Sequence, residues 1–281
     1  MNPLLLQELV RQALAEDLAW GDITTEALIP PGVSLRAQAR AREAGVVAGL
    51  PVFAEAFRQL SSSISVSFCV CDGTRVGPGQ VLAEVTGEAR AILMGERVAL
   101  NLLQHLSGIA TTTAQYVAAL EGLPTRILDT RKTTPGLRML EKYAVRIGGG
   151  LNHRYCLADA VLIKDNHLAI LAAQGIGLSE AVRRARAAVS PMVRIEVEVE
   201  NAEDAVRAAE AGADIVMLDN MSLAEMRRAV EAIGGRALVE ASGNVTLETV
   251  RQVAETGVDY ISVGALTRSR KGLDIGLDVV R

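Results

Sequence analysis

From about residue 110 onward, short runs of β-branched and aliphatic residues alternate with stretches whose apolar positions recur at helical spacing. Short apolar runs read as strands, and apolar residues at i, i+3 and i+4 read as amphipathic helix. The expected strands are RILDT (126–130), DAVLIK (159–164), IEVEVE (195–200), DIVMLD (214–219), ALVEAS (237–242) and YISVGA (260–265). Measured between Ile163, Val197, Met217, Val239 and Ser262, the last four steps are 34, 20, 22 and 23 residues. Such regularity is that of successive βα units around a parallel sheet. The intervening NAEDAVRAAEAG, SLAEMRRAVEAIGG and TLETVRQVAETG each start at a capping residue and finish at or near glycine. Six strands are legible, fewer than a closed eight-stranded barrel requires, so an incomplete α/β barrel is expected over residues 109–270.

Residues 1–108 have a different rhythm. An amphipathic helix comes first, followed by the strand patterns LRAQARARE, ISVSFCVC and QVLAEVTG, and then a helix from about Ile92 to Ser107. This predicts a separate N-terminal α+β domain. Its segment DGTRVGPGQVLAEVTG has the turn-and-strand rhythm of a lipoyl or biotinyl hairpin, but residues 72–96 contain no lysine to carry such a group. The rhythm is therefore read as structural.

Composition narrows the class. The 281 residues are 49% hydrophobic, enough to bury a sizeable core. Net charge is -4, with 29 Lys and Arg against 33 Asp and Glu and no long run of one sign, which argues against a nucleic-acid-binding surface. Cys69, Cys71 and Cys156 form neither a CxxC pair nor a disulfide framework, so a reducing compartment is expected. The opening MNPLLLQELVRQALAEDLAWGD lacks a basic leader with a small-residue cleavage site, and no stretch of 18 uncharged apolar residues occurs. A cytoplasmic protein with no membrane partner is expected.

Against this acidic background the cations are concentrated. From Arg131 to Lys164 there are seven basic residues (Arg131, Lys132, Arg138, Lys142, Arg146, Arg154, Lys164) and two acidic ones (Glu141, Asp159). Arginine forks and lysine point charges suit carboxylates and phosphates. Arg138, Lys142 and Arg146 at four-residue spacing also fit a solvated helix face. Arg131, Lys132 and Lys164 sit at expected strand ends, where the active face of a βα barrel lies. The triple glycine 148–150, then His153 and Arg154, precede Lys164 and His167, so both ends of this segment can converge on one anion. His105, in an apolar helix, is read as a satisfied core or interface residue. Glu198 and Asp219 end consecutive strands and form a carboxylate pair suited to Mg²⁺ or to salt bridges with nearby cations. Glu196, Glu198 and Glu200 alternate on one face, and the pattern does not choose among them. The last two strands end in EASGNV and SVGALT, the place where barrels commonly bind phosphate on backbone N–H groups.

Together, EDLAWGDITT, GERVALNLLQHLSGIAT, TRKTTPGLRMLEKYAVRIGGGLNHRYCLADAVLIKDNH, EVEVEN, ADIVMLDN, EASGNV and ISVGALT resemble the quinolinate phosphoribosyltransferase family nearly end to end. The resemblance implies an N-terminal open sandwich domain, joined by the C-terminal tail 271–281, and an incomplete, roughly seven-stranded barrel. It implies transfer of phosphoribose from phosphoribosyl pyrophosphate (PRPP) to quinolinate with decarboxylation, with Mg²⁺ as cofactor. It also implies homodimers, or hexamers built from them. Position by position, Arg131, His153, Arg154 and Lys164 match residues that bind the pyridine carboxylates, and Lys132 one that reaches toward the carboxylate or diphosphate. Arg97 matches an arginine donated by the partner subunit. Glu198 and Asp219 match carboxylates near the ribose and Mg²⁺, and Ser242, Gly243 and Gly264 match the 5-phosphate loops. Lys132, Lys164, Glu198 and Asp219 carry the implied catalysis.

Overall fold

A computed structural model describes residues 1–268 and 271–280. The chain begins with α1 (Pro3–Asp17), α2 (Ile23–Leu28), β1 (Ser34–Ala41), β2 (Gly45–Val46) and α3 (Leu50–Leu60). Next come β3 (Ser65–Phe68), β4 (Arg75–Val76), β5 (Val81–Glu88) and the long α4 (Ala89–Ala119). Then β6 (Arg126–Leu128), α5 (Arg138–Ile147), β7 (Val161–Ile163), α6 (Asp165–Ala172) and α7 (Leu178–Ala188) follow. The remainder alternates: β8 (Ile195–Val199), α8 (Ala202–Glu210), β9 (Ile215–Asp219), α9 (Leu223–Ile233), β10 (Leu238–Ser242) and α10 (Val250–Ala254). It closes with β11 (Tyr260–Ser262), α11 (Ala265–Arg268) and β12 (Ile275–Val279).

Contacts group the chain into two compact units, Met1–Ala114 with Thr133–Gly149 and Leu266–Arg281, and Gln115–Lys132 with Gly150–Ala265. In the first unit a four-stranded antiparallel sheet runs in the order β12-β1-β5-β3. Burial in β1 alternates so that Ala37, Ala39 and Ala41 face the core, as a sheet with one wet face requires. The tail strand β12 pairs with β1 from Ala37↔Val279 to Ala41↔Ile275. Helix α3 packs Phe53 edge-on against Phe57, with centroids 5.0 Å apart. Asp72 caps that helix from outside, its carboxylate accepting from the N–H groups of Gly49 and Leu50 at 2.9 and 3.0 Å. Tyr143 donates to the same carboxylate at 2.6 Å.

Helix α4 runs well past the expected end at Ser107. SGIATTT reads as a terminator because glycine and β-branched residues weaken a helix. Here Thr111 and Thr113 donate their hydroxyls to the carbonyls of Ser107 and Ile109, at 2.7 and 2.8 Å, one turn back. Gly108 answers a packing demand, since a Cβ there would lie 2.2 Å from the carbonyl oxygen of Lys271. Beneath this stretch, Glu141 is fully buried and bonds His105 Nε2 at 2.9 Å, so His105 is a satisfied residue as read. Cys69 and Cys71 lie just beyond β3, both exposed and free.

In the second unit the parallel sheet has the order β6-β11-β10-β9-β8-β7. Beyond β6 a seventh chain crossing makes a single parallel bridge, Leu128↔Leu151. This is the incomplete α/β barrel anticipated from the strand count. Registers such as Ser242↔Asp219 and Glu196↔Ile215 align residues of one parity into layers. Helices α8 and α9 are capped as their sequences imply, whereas α10 begins only at Val250 and Thr249 before it makes no side-chain cap bond. Asn201 accepts from Asp204 N–H at 2.9 Å, Ser222 and Glu225 form a capping box, and Gly234 closes α9 in the left-handed region. No helix of the described residues is long and apolar enough to cross a membrane.

Candidate active site

The layered parity places two cavities along the interior of the second unit. At the C-terminal ends of the strands, a cavity of about 370 Å³ is lined by Thr130, Arg131, Lys132, His153, Arg154, Lys164, Glu198, Met217, Asp219, Ser242 and Ser262, with Leu162. A second, of about 390 Å³, lies at the opposite strand ends, where Ile215, Leu238 and Tyr260 line it together with Glu196 and Glu240. His153 and Arg154 border both.

Eight of the expected site residues thus meet at one cavity, at the end of the strands where such folds act. Gly264 adjoins them, because a Cβ there would lie 3.2 Å from Lys132 Cδ. Gly243 follows Ser242 with φ +97°. Arg97 is exposed on α4, in the first unit, and is not among the lining residues. Of the three alternating glutamates, Glu198 reaches the upper cavity, Glu196 the lower, and Glu200 lies exposed past the end of β8. His167 serves the local backbone, where its Nδ1 accepts from the Lys164 N–H at 2.9 Å and so caps α6.

The cations are placed by specific anchors. Asp129, fully buried at the end of β6, accepts from His153 N–H at 2.8 Å and from Asn152 Nδ2 at 2.7 Å. It thereby ties the segment carrying His153 and Arg154 to the strand end carrying Arg131. Arg154 donates to the Ala160 carbonyl at 3.1 Å, spanning the stretch before β7. Burial, and then the neighbouring Arg131, draw the Arg154 guanidinium below its ordinary pKa, the signature of crowded like charges. Lys164 forms an ion pair and hydrogen bond with Glu198 on the adjacent strand. Asp219 accepts from Asn220 Nδ2 at 2.7 Å. Basic and acidic groups therefore face one another across the cavity.

Asp129 escaped the sequence reading, and the pattern did not separate Glu196 from Glu198 and Glu200. Asp129 is the lone acid in RILDT, and that is its only signal. His153 Nε2 lies 3.0 Å from Glu196 Oε2 and 3.8 Å from Glu240 Oε2, and donor atoms of the three fall within 4.8 Å, a metal-like spacing. His153 Nδ1, however, accepts the Arg154 N–H at 2.7 Å. The ring proton therefore sits on Nε2 and is directed at Glu196, which leaves no lone pair for a metal.

Glu240 is almost fully buried, and burial together with the Glu196 charge pushes its pKa up to about 8. The folded state then holds a proton that the unfolded chain releases near its ordinary 4.5. Stability should be fullest below that value and fall as pH rises toward about 8. Denaturant unfolding across this window should show the decline, and Glu240→Gln should flatten it. An unchanged slope in the variant would assign the proton elsewhere.

With this geometry in place, relatives become informative. The model of the "Quinolinate phosphoribosyl transferase, C-terminal domain" matches residues 109–278, and that of the N-terminal domain matches 22–107. The chain belongs to the quinolinate phosphoribosyltransferase family. It is 44% identical over 279 residues to a probable nicotinate-nucleotide pyrophosphorylase [carboxylating] of Bacillus subtilis, covering 99% of this chain and 95% of the relative. Identity is also 44% to the nicotinate-nucleotide pyrophosphorylase [carboxylating] of Mycobacterium leprae, covering 97% and 96%. Among solved structures, NadC from Streptococcus pyogenes superposes with a TM-score of 0.94 at 43% identity, covering 100% of this chain and 99% of that one. The incomplete barrel and sandwich sheet described above are thus the architecture of quinolinate phosphoribosyltransferases.

Proposed function

We propose that the upper cavity binds quinolinate and PRPP and produces nicotinate mononucleotide, pyrophosphate and CO₂, a step of NAD biosynthesis. The observation carrying this reading is the division of charge in one cavity: Arg131, Lys132, Arg154 and Lys164 beside Glu198 and Asp219. Cations alone would suit any anion. The carboxylates add a place for developing positive charge.

Arg131, Arg154 and Lys164 receive the two pyridine carboxylates, and Lys132 reaches the carboxylate or diphosphate. With both His153 nitrogens engaged by protein groups, that ring shapes the dicarboxylate's floor. Ser242, Gly243 and Gly264 hold the 5-phosphate on backbone N–H groups. As the ribose C1–pyrophosphate bond breaks, its electron pair leaves with pyrophosphate and the sugar gains oxocarbenium character, which Glu198 and Asp219 stabilise. The pyridine nitrogen then forms the new bond to C1. Quaternisation lets the ring hold the electron pair left when the adjacent carboxylate departs as CO₂, and a proton fills that position. The chain's contribution is positioning and electrostatics.

The hard oxygen donors of Glu198 and Asp219, both lining the cavity at the ends of adjacent strands, suit Mg²⁺. When bound it would offset the charge of the diphosphate. Arg97, exposed on α4, is assigned to the cavity of a partner subunit in a homodimer or a hexamer of dimers, in keeping with the family resemblance.

Quinolinate labelled at the 2-carboxyl should release labelled CO₂ only when PRPP and Mg²⁺ are present, one molecule per PRPP consumed. Release without PRPP consumption would overturn the order of bond changes described.

A further inference from the structure

Asn220 follows Asp219 with φ +53°, in the left-handed region that residues other than glycine seldom adopt. Its N–H donates to the Ser242 carbonyl at 3.0 Å, extending the β9–β10 ladder one step beyond Ser242↔Asp219. Both ends of its amide are occupied. A carboxylate only accepts, so Nδ2 faces Asp219 Oδ2 at 2.7 Å, and Oδ1 accepts from Asn244 Nδ2 at 3.2 Å. Asn244 is also left-handed, at φ +49°. Gly243 lies against the same amide, where a Cβ would come within 2.2 Å of Asn220 Oδ1 and 2.9 Å of its backbone nitrogen. Two strained residues and one obligatory glycine therefore converge on a single side chain.

We infer that Asn220 is a positioning residue that sets the spacing between the Asp219 carboxylate and the Ser242–Asn244 loop, and so governs recognition of the phosphoribosyl donor rather than of the dicarboxylate. The inference rests on the reading of these two groups as facing the ribose and the 5-phosphate. Asn220 itself need not touch the substrate. Its amide joins groups that grip opposite ends of one sugar phosphate, so its loss lets them drift independently while the Arg131, Arg154 and Lys164 cluster is left in place.

The test is Asn220→Gly, which keeps the left-handed backbone accessible and removes only the amide. Steady-state kinetics with each substrate varied separately should show KM for PRPP raised by about tenfold or more. KM for quinolinate should stay within about threefold, whereas kcat should fall along with the rise in KM for PRPP, because Asp219 also stabilises the developing positive charge. Asn244→Gly, which also keeps its left-handed backbone accessible, should raise KM for PRPP by less, and adding it to Asn220→Gly should raise it no further, because both act through one contact. Equal changes in both KM values, an unchanged KM for PRPP, or full additivity in the double variant would overturn the inference. A wild-type protein that makes no nicotinate mononucleotide would instead overturn the functional reading, and this inference with it.

Discussion

Lys164→Ala is expected to lower kcat/KM by about 10²- to 10³-fold, the scale seen when one preorganised charged contact to a developing charge is removed. Two effects act together. The substrate loses a cation at the end of β7, and Glu198, paired with Lys164 in the folded protein, is left as an uncompensated carboxylate facing an anionic substrate. The Lys164 side chain is 42% exposed, so the fold should survive, with a melting temperature within a few degrees of wild type. Arginine at this position should restore only part of the activity, because a planar fork does not replace a point charge in the same pairing geometry. Near-normal turnover by the alanine variant would remove Lys164 from the site.

Asp129→Ala is expected to cost about 3 kcal/mol of stability, from two hydrogen bonds to a buried carboxylate at about 1.5 kcal/mol or more each. For a domain of this size that lowers the melting temperature by roughly 6–12 °C. Activity should fall as well, since the same carboxylate holds the backbone of His153 and the side chain of Asn152, and Arg154 follows them in the chain. Asp129→Asn keeps one acceptor and should lie between. Thermal melts followed by circular dichroism, paired with kinetics on the same samples, separate the two effects. An alanine variant that melts like wild type would show that the segment is held by other contacts.

The barrel strands were legible because each is a short apolar run bounded by capping and glycine signals, and because active-face residues sit at predictable strand ends. Lys164, Asp219 and Ser242 follow from that periodicity alone. Asp129 does not, because its role arises only when Gly150–Arg154 returns beside β6, a contact more than 20 residues distant along the chain. Glu196 and Glu198 share one parity and differ only in depth along the strand, so no local pattern separates the interior carboxylate from the one at the rim. Helix α4 was cut short in the sequence reading because threonines that satisfy their own hydroxyls on the preceding turn resemble a terminator. Asn220 reads in the sequence only as one more polar group beside Asp219: its significance lies in the left-handed turn and in the loop after β10 that it meets.

The most direct measurement is mass-spectrometric product analysis after mixing the purified protein with PRPP and Mg²⁺, with quinolinate in one tube and nicotinate in the other. On the proposed reading the cavity's cations pair with both carboxylates, so an acid lacking one would leave a cation without its partner. Nicotinate mononucleotide formed from quinolinate and not from nicotinate is the predicted result. Equal product from both acids, or none from quinolinate with the protein folded, would contradict the account.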